Sequence, residues 1–239
     1  MQTLADLKIK IFADGAELKI IADMNRQSWI KGFTTNPTLM RKANIIDYKA
    51  FSLDVLKIVT DKPVSFEVFS DDFDEMEAQA NQIASWGRNV YVKIPVSNTK
   101  GEFSGPLIKR LAAAGVQLNI TAMMTPIQTE QVVACLSPDV PSFVSVFAGR
   151  IADSGRDPIP IMTKCVKILK SNPKAELIWA SPRELLNIFQ ADSIGCHIIT
   201  ATNDVLAKLP NIGKDLDQYS LETVQMFRQD ALKAGFTIK

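Results

Sequence analysis

The chain has 239 residues and a mass of 26.4 kDa, and 46% of it is apolar, enough for a sizeable core. Its formal net charge of +1 excludes the basic field of a nucleic-acid binder or of a protein held on an anionic membrane. The single histidine, His197, excludes a zinc site built on histidines, and no apolar run approaches the roughly 18 residues of a bilayer span.

Strand-like and helix-like runs alternate along the chain. Side chains alternate faces along a strand, so each strand has a readable parity. KIKIFAD (8–14) sets Ile9, Ile11 and Ala13 against Phe12 and Asp14. GFTTN (32–36) follows, with Thr34 and Thr35 read as structural and Asn36, before Pro37, open to a turn role. PVSFEVF (63–69) sets Val64, Phe66 and Val68 against Ser65 and Glu67. DDFDEMEAQANQIASWG (71–87) has helical spacing, with Asp71 and Asp72 as the start signal and Gly87 as the stop. Its acidic opening, DDFDE, suits the positive end of a helix dipole.

VYVKIPV (90–96) packs Val90, Val92, Ile94 and Val96 on one face and carries Tyr91 and Lys93 on the other. VQLNITA (116–122) opposes Val116, Leu118 and Ile120 to Gln117, Asn119 and Thr121. SFVSVFA (142–148) opposes Ser145 and Phe147 to Val144 and Val146. PIPIMTKCVKILKS (158–171) reads as a helix, and ELIWAS (176–181) as a strand. PREL (182–185) places a proline at a first helical position. CHIITAT (196–202) is the eighth strand, and parity turns His197 inward, as a core residue or a neighbour of the site. DQYSLETVQMFRQDALKAG (217–235) reads as one further helix. Trp29, Trp86 and Trp179 are read as packing residues.

Eight strand–helix units in this length predict a single (β/α)8 TIM barrel over residues 1–239, with 218–235 as an extra C-terminal helix. No linker or repeat divides it. The polar inner-face residues lie towards the carboxyl ends of the strands, where barrel active sites form. Cys135, Cys165 and Cys196 are scattered and odd in number, and MQTLADLKIKIFADG lacks the apolar core of a secretion signal. A cytoplasmic protein with reduced thiols is expected.

Lys93 is the unusual residue. An ammonium on the inner face of a barrel is costly unless paired or neutralised. Glu67 and Asn119 lie on the same inner face. Desolvation generally lowers a lysine's pKa and frees the amine to attack carbonyls. Residues alone leave three readings open: imine chemistry, a structural Lys–Glu pair, or binding of an anion.

Five motifs in order resemble the transaldolase family, in particular its short-chain branch that includes the fructose-6-phosphate aldolases. GFTTNPTLM (32–40) is similar to its second-strand signature, and VYVKIPVS (90–97) to the strand that carries its imine-forming lysine. LNITAM (118–123), SVFAGRI (145–151) and WASPRE (179–184) are similar to three further strand ends. The resemblance runs from about Ile11 to Ala207. It implies a metal-independent, cofactor-free transaldolase working in the manner of the pentose phosphate pathway. Lys93 would attack the C2 carbonyl of a ketose phosphate, and a bound dihydroxyacetone unit would pass to a second sugar phosphate. Asp14 would take the C4 hydroxyl proton; its local alternative is a helix cap before Gly15. Glu67 and Thr121 would hold a proton-moving water. Asn36, Asn119 and Ser145 would hold the dihydroxyacetone hydroxyls, and Arg150, Ser181 and Arg183 the phosphate.

Within the family, glutamate at 67, phenylalanine at 147 and arginine at 183 favour transfer; glutamine and tyrosine at the first two mark cleavage with release of free dihydroxyacetone. Cleavage of that kind and a non-catalytic sugar-phosphate-binding barrel are the alternatives. Ala13-Asp14-Gly15-Ala16, Val146 and Pro182 depart from the common pattern, and Pro182 leaves phosphate and sulfonate both open as the anion. In short-chain relatives the last helix packs on a neighbouring subunit, which implies a homo-oligomer, a pentamer or decamer, through Leu221, Val224, Gln225, Phe227 and Leu232. No nucleic-acid or membrane partner is expected.

Overall fold

A computed structural model describes residues 3–238. Among them lie eight parallel strands: β1 (Lys10–Asp14), β2 (Ile30–Thr34), β3 (Val64–Glu67), β4 (Val90–Pro95), β5 (Leu118–Met123), β6 (Ser142–Val146), β7 (Ala175–Trp179) and β8 (Ile198–Thr202). Each pairs with its sequence neighbours, and β8 closes on β1, so the sheet is a closed barrel in sequential order, as the alternation predicted.

The helices are α1 (Leu18–Asn25), α2 (Pro37–Lys42), α3 (Tyr48–Ile58), α4 (Phe73–Ala84), α5 (Gly105–Ala113), α6 (Pro126–Val133), α7 (Ala148–Asp153), α8 (Ile159–Leu169), α9 (Leu186–Ser193), α10 (Asn203–Leu206) and α11 (Leu216–Lys233). Local chemistry explains their starts. Asp72 caps α4, its Oδ1 accepting the Asp74 and Glu75 amides at 3.0 Å each. Met76, Ala80 and Ile83 then bury at helical spacing. Asn36 caps α2, with Pro37 at the first turn. That cap ends β2 at Thr34, two residues before the predicted strand end.

The lower barrel is packed by rings. Phe12 meets Phe143 edge-on at 5.6 Å, and Tyr91 stacks on Phe143 at 4.0 Å, with Ile178 and Ile198 beside them. Gly32 makes room: a Cβ there would stand 2.5 Å from the Phe12 ring. This apolar plug fills the amino-terminal half and leaves the carboxyl ends for polar groups.

The described residues form two compact units. Residues 8–207 contain all eight strands. Segments 3–7 and 208–238 form the other unit, in which Asp215 caps α11 and accepts the Gln218 amide at 2.9 Å. No α11 residue is buried, and Leu221, Val224, Phe227 and Leu232 are exposed. No helix among the described residues is long and apolar enough to cross a membrane. All three cysteines are free and buried.

Two local expectations are corrected. Pro182 does not start a helix: α9 begins at Leu186, and the Arg183 and Glu184 amides instead bond to Asn187 Oδ1 at 2.8 and 3.1 Å. His197 does not face the barrel axis. It precedes β8, whose inner positions are Ile198, Thr200 and Thr202, and its Nδ1 accepts the Leu177 amide at 3.0 Å. Burial lowers its pKa below the ordinary value of 6.5.

Candidate active site

Every residue singled out from the sequence as catalytic or binding lines one cavity of about 530 Å³ at the carboxyl ends of the strands. Register explains the centre. Glu67 on β3 and Asn119 on β5 are direct register neighbours of Lys93 on β4, so three inner-face side chains stand in a row. Lys93 Nζ lies 3.0 Å from Glu67 Oε2 and donates to the Thr35 carbonyl at 2.9 Å. The lysine side chain is 8% exposed and the glutamate 18%, so the pair is screened little by solvent.

Beside it runs a neutral polar chain. The Ser145 hydroxyl donates to Asn119 Oδ1 at 2.7 Å, and Asn119 Nδ2 donates to Ser65 Oγ at 2.9 Å. All three are buried, so this chain holds the Asn119 amide in one orientation. Thr121 reaches the cavity from the next inner position of β5. Its buried hydroxyl makes no hydrogen bond among the described residues.

Asp14 approaches from β1. It is not a helix cap, because Glu17 holds that position before α1. Instead Asp14 Oδ1 accepts from the Thr34 hydroxyl at 2.8 Å, and Thr34 Oγ1 lies 2.5 Å from Thr200 Oγ1. Burial pushes the Asp14 carboxyl above its ordinary value of 3.8. The Lys93 charge and the Thr34 hydrogen bond pull the other way, and the Glu67 charge adds to the rise. Asn36 spends its Oδ1 on the α2 cap, accepting the Leu39 amide at 3.0 Å, while still lining the cavity. The turn role and the cavity position coexist.

The opposite wall carries the arginines. Arg150 on α7 sets its guanidinium carbon 5.8 Å from the Phe147 ring centre. Arg183 Nε donates to Asp153 Oδ1 at 2.9 Å, and a second guanidinium nitrogen pairs with the other carboxylate oxygen. This holds the arginine's planar fork in one orientation. The β6 and β7 loops meet at Gly149, where a Cβ would lie 1.5 Å from the Ser181 carbonyl oxygen. Ser181 and Ala122, both on the cavity wall, are non-glycine residues at φ of 62° and 66°. Such left-handed backbone is costly and concentrates at functional sites.

A family model described as transaldolase/fructose-6-phosphate aldolase matches residues 11–238. The chain belongs to this family. A "Probable transaldolase" of Dehalococcoides mccartyi is 33% identical over 202 residues, covering 84% of this chain and 90% of that one. Another from Thermoanaerobacter sp. is 31% identical over 232 residues, covering 96% and 100%. A solved structure described as a dihydrodipicolinate synthase family protein from Coccidioides immitis superposes with a TM-score of 0.61 over 98% of this chain and 80% of that one. At 13% identity that likeness concerns the fold alone. Family membership makes the chain an enzyme of transaldolase/aldolase type.

Sequence reading gave no site role to three cavity residues of this transaldolase/aldolase-family barrel, Thr34, Thr200 and Lys42, nor to Ser65 outside the lining. Thr34 and Thr200 hold Asp14, and Ser65 holds Asn119. Lys42 reaches the rim from α2. Ser65 already stood on the inner face beside Glu67, but the threonines were indistinguishable from ordinary strand formers.

A carboxyl whose folded-state pKa lies above its unfolded value binds protons more readily in the native state. Its contribution to stability therefore falls as pH rises from about 3.8 through the folded value. Asp14→Asn removes that penalty and keeps an acceptor for Thr34. Its melting temperature is expected to exceed the wild type's at pH 7, with the gap closing as pH approaches the ordinary carboxylate value. Thermal melts across pH measure this. Identical melts at pH 7 would show that burial does not penalise the Asp14 carboxylate.

Proposed function

We propose that the protein is a transaldolase that moves a dihydroxyacetone unit between sugar phosphates through an imine on Lys93, without a metal ion. The reading rests on one observation: a buried amine stands 3.0 Å from a carboxylate on the floor of an open cavity. Binding alone has no need of an amine on the barrel axis.

The residues divide the chemistry by position. Lys93 gives up its ammonium proton to Glu67, and the free amine attacks the C2 carbonyl of the ketose, forming a C–N bond while the proton passes on to the carbonyl oxygen. Glu67 is the carboxylate within reach of Nζ, and with the unpaired Thr121 hydroxyl it holds the water that carries protons as the carbinolamine dehydrates. Asp14 then takes the C4 hydroxyl proton. The C3–C4 bond breaks, its electron pair moves into the imine, and an aldose phosphate leaves. A carboxyl raised above its usual range is suited to take that proton and return it. Asn36, Asn119 and Ser145 hold the hydroxyls of the remaining enamine. Arg150, Arg183 and Ser181 hold the anion of donor and acceptor, phosphate or sulfonate. A second aldose adds to the enamine, and water releases the product.

Borohydride added with fructose 6-phosphate is expected to leave a reduced adduct on Lys93, in EDTA as well as without it, read by intact-mass and peptide analysis. Lys93→Met should fold and lack turnover. An active preparation with no adduct, or with one on another residue, refutes the imine assignment.

Phe147 supports transfer over simple cleavage. Its half-buried ring lines the cavity and offers no proton. With no hydroxyl at position 147 to protonate its carbon, the enamine persists until an acceptor arrives. Phe147→Tyr adds a hydroxyl able to protonate the enamine. The variant is expected to release free dihydroxyacetone without an acceptor and to lose part of its transfer activity. A folded variant with the wild type's low release would place Phe147 away from the reacting carbon. Wild type that releases dihydroxyacetone as fast as it transfers it would be an aldolase.

We also propose that the protein is a cytoplasmic homo-oligomer joined through the exposed apolar side chains of α11. Phe227→Glu should reduce the assembly in light scattering. Wild type and variant of equal mass would rule this out.

A further inference from the structure

In parallel sheets, successive residues direct their backbone groups alternately to the two neighbouring strands. The Val64 amide on β3 and the Val68 amide just after it donate to the Asn89 and Lys93 carbonyls on the β4 side at 2.9 and 3.2 Å. Pro63 and Ser65 face the other way, their carbonyls accepting the Phe33 and Thr35 amides at 2.9 and 3.4 Å. Glu67 is next in that second series. By then β2 has ended at Thr34 and the chain has turned at the Asn36 cap into α2. No strand is left to pair with the Glu67 backbone.

Tyr48 takes the missing strand's place. Its hydroxyl accepts the Glu67 amide at 2.8 Å and donates to the Glu67 carbonyl at 2.8 Å. One side-chain oxygen thus satisfies both backbone groups of the residue whose carboxylate faces Lys93. The ring is fixed in turn. It meets Phe69 edge-on at 4.4 Å and Phe66 at 6.4 Å, and lies 5.9 Å from Trp86. Asp47 starts α3 immediately before it, accepting the Ala50 amide at 2.9 Å. Burial pushes the phenol well above its ordinary pKa of 10.0, so the hydroxyl keeps the proton it donates.

We propose that Tyr48 is a positioning residue: its hydroxyl, by bridging both backbone groups of Glu67, fixes the carboxylate at the distance from Lys93 at which it serves proton transfer. The inference rests on the proton-moving role of Glu67 proposed above. It adds a residue that touches no substrate, outside the cavity lining, and it explains how the last residue of a strand stays ordered after its neighbour has left the sheet. Without the bridge, the Glu67 amide and carbonyl would need water, and the carboxylate would sample several positions. A carboxylate misplaced by an ångström loses efficiency in proton transfer, with little effect on how a remote anion is held.

The test is a double-mutant cycle on the full chain, read as kcat, KM and the pH dependence of kcat for transfer from fructose 6-phosphate to erythrose 4-phosphate. Tyr48→Phe is expected to lower kcat about tenfold, to change KM less than twofold, and to shift a limb of the pH profile. In a Glu67→Gln background the same change is expected to have almost no further effect, because the group it positions is gone. Val55→Ala, a core change on the same helix, should lose stability while keeping kcat and the pH profile. 4-Aminophenylalanine at position 48 retains a donor and a lone pair and is expected to keep at least a third of wild-type kcat; if Tyr48→Phe does not fold, this variant decides the case. A folded Tyr48→Phe with wild-type kcat and pH profile overturns the proposal, as does a loss that adds in full to that of Glu67→Gln. So does a folded 4-aminophenylalanine variant with kcat as low as that of Glu67→Gln. If Glu67→Gln itself leaves kcat unchanged in an active enzyme, the proposed role of Glu67 fails, and the role of Tyr48 fails with it.

Discussion

The structure is organised around the ion pair of Lys93 and Glu67. Two opposite charges stand on adjacent strands inside a barrel, nearly cut off from solvent. Removing one member of such a pair typically costs about 3–5 kcal/mol, because its partner remains as an uncompensated buried charge. A well-packed apolar pair would serve stability as well or better. The surroundings accommodate the charges. The Thr35 carbonyl takes another ammonium proton, neutral amide and hydroxyl groups stand beside the pair, and aromatic rings seal the barrel beneath them. The arrangement makes sense when the amine is required for chemistry.

Asp14 and Glu67 share that one amine, and their environments differ. Glu67 has the lysine at contact distance and its own backbone bridged by Tyr48. Asp14 has the Thr34 hydroxyl as its partner, and its burial outweighs the pull of Lys93. Two carboxylates in different settings can take different proton roles at one pH. Thr34 and Thr200 orient Asp14 without adding charge, which preserves the contrast.

Much of this was legible in the sequence because strand parity is a strict code. Lys93, Glu67, Asn119 and Ser145 were assigned to the inner face by counting in twos, and the structure places them there. The code failed where the chain leaves regular strand. His197 was counted as part of β8, but it precedes the strand and bonds sideways to β7. Pro182 carried a helix-start signal, yet the Ser181 turn and the Asn187 side chain claim that stretch. Partners far apart in sequence were invisible for a different reason. Tyr48 precedes Glu67 by 19 positions and Thr200 follows Thr34 by 166, and no local pattern announces either bond.

The close approach of Gly149 to the Ser181 carbonyl ties the β6 and β7 loops into one piece. Arg150 lies one residue beyond the first of these and Arg183 two beyond the second, and Asp153 joins α7 to Arg183. The two cationic segments therefore pack as a single unit. If Arg150 and Arg183 hold the anion as proposed, changing that anion calls for replacing both segments together. A graft of one loop from a relative with a bulkier residue at the Gly149 position would collide with the backbone of the other. A designer would therefore exchange residues 147–153 and 180–187 as a unit.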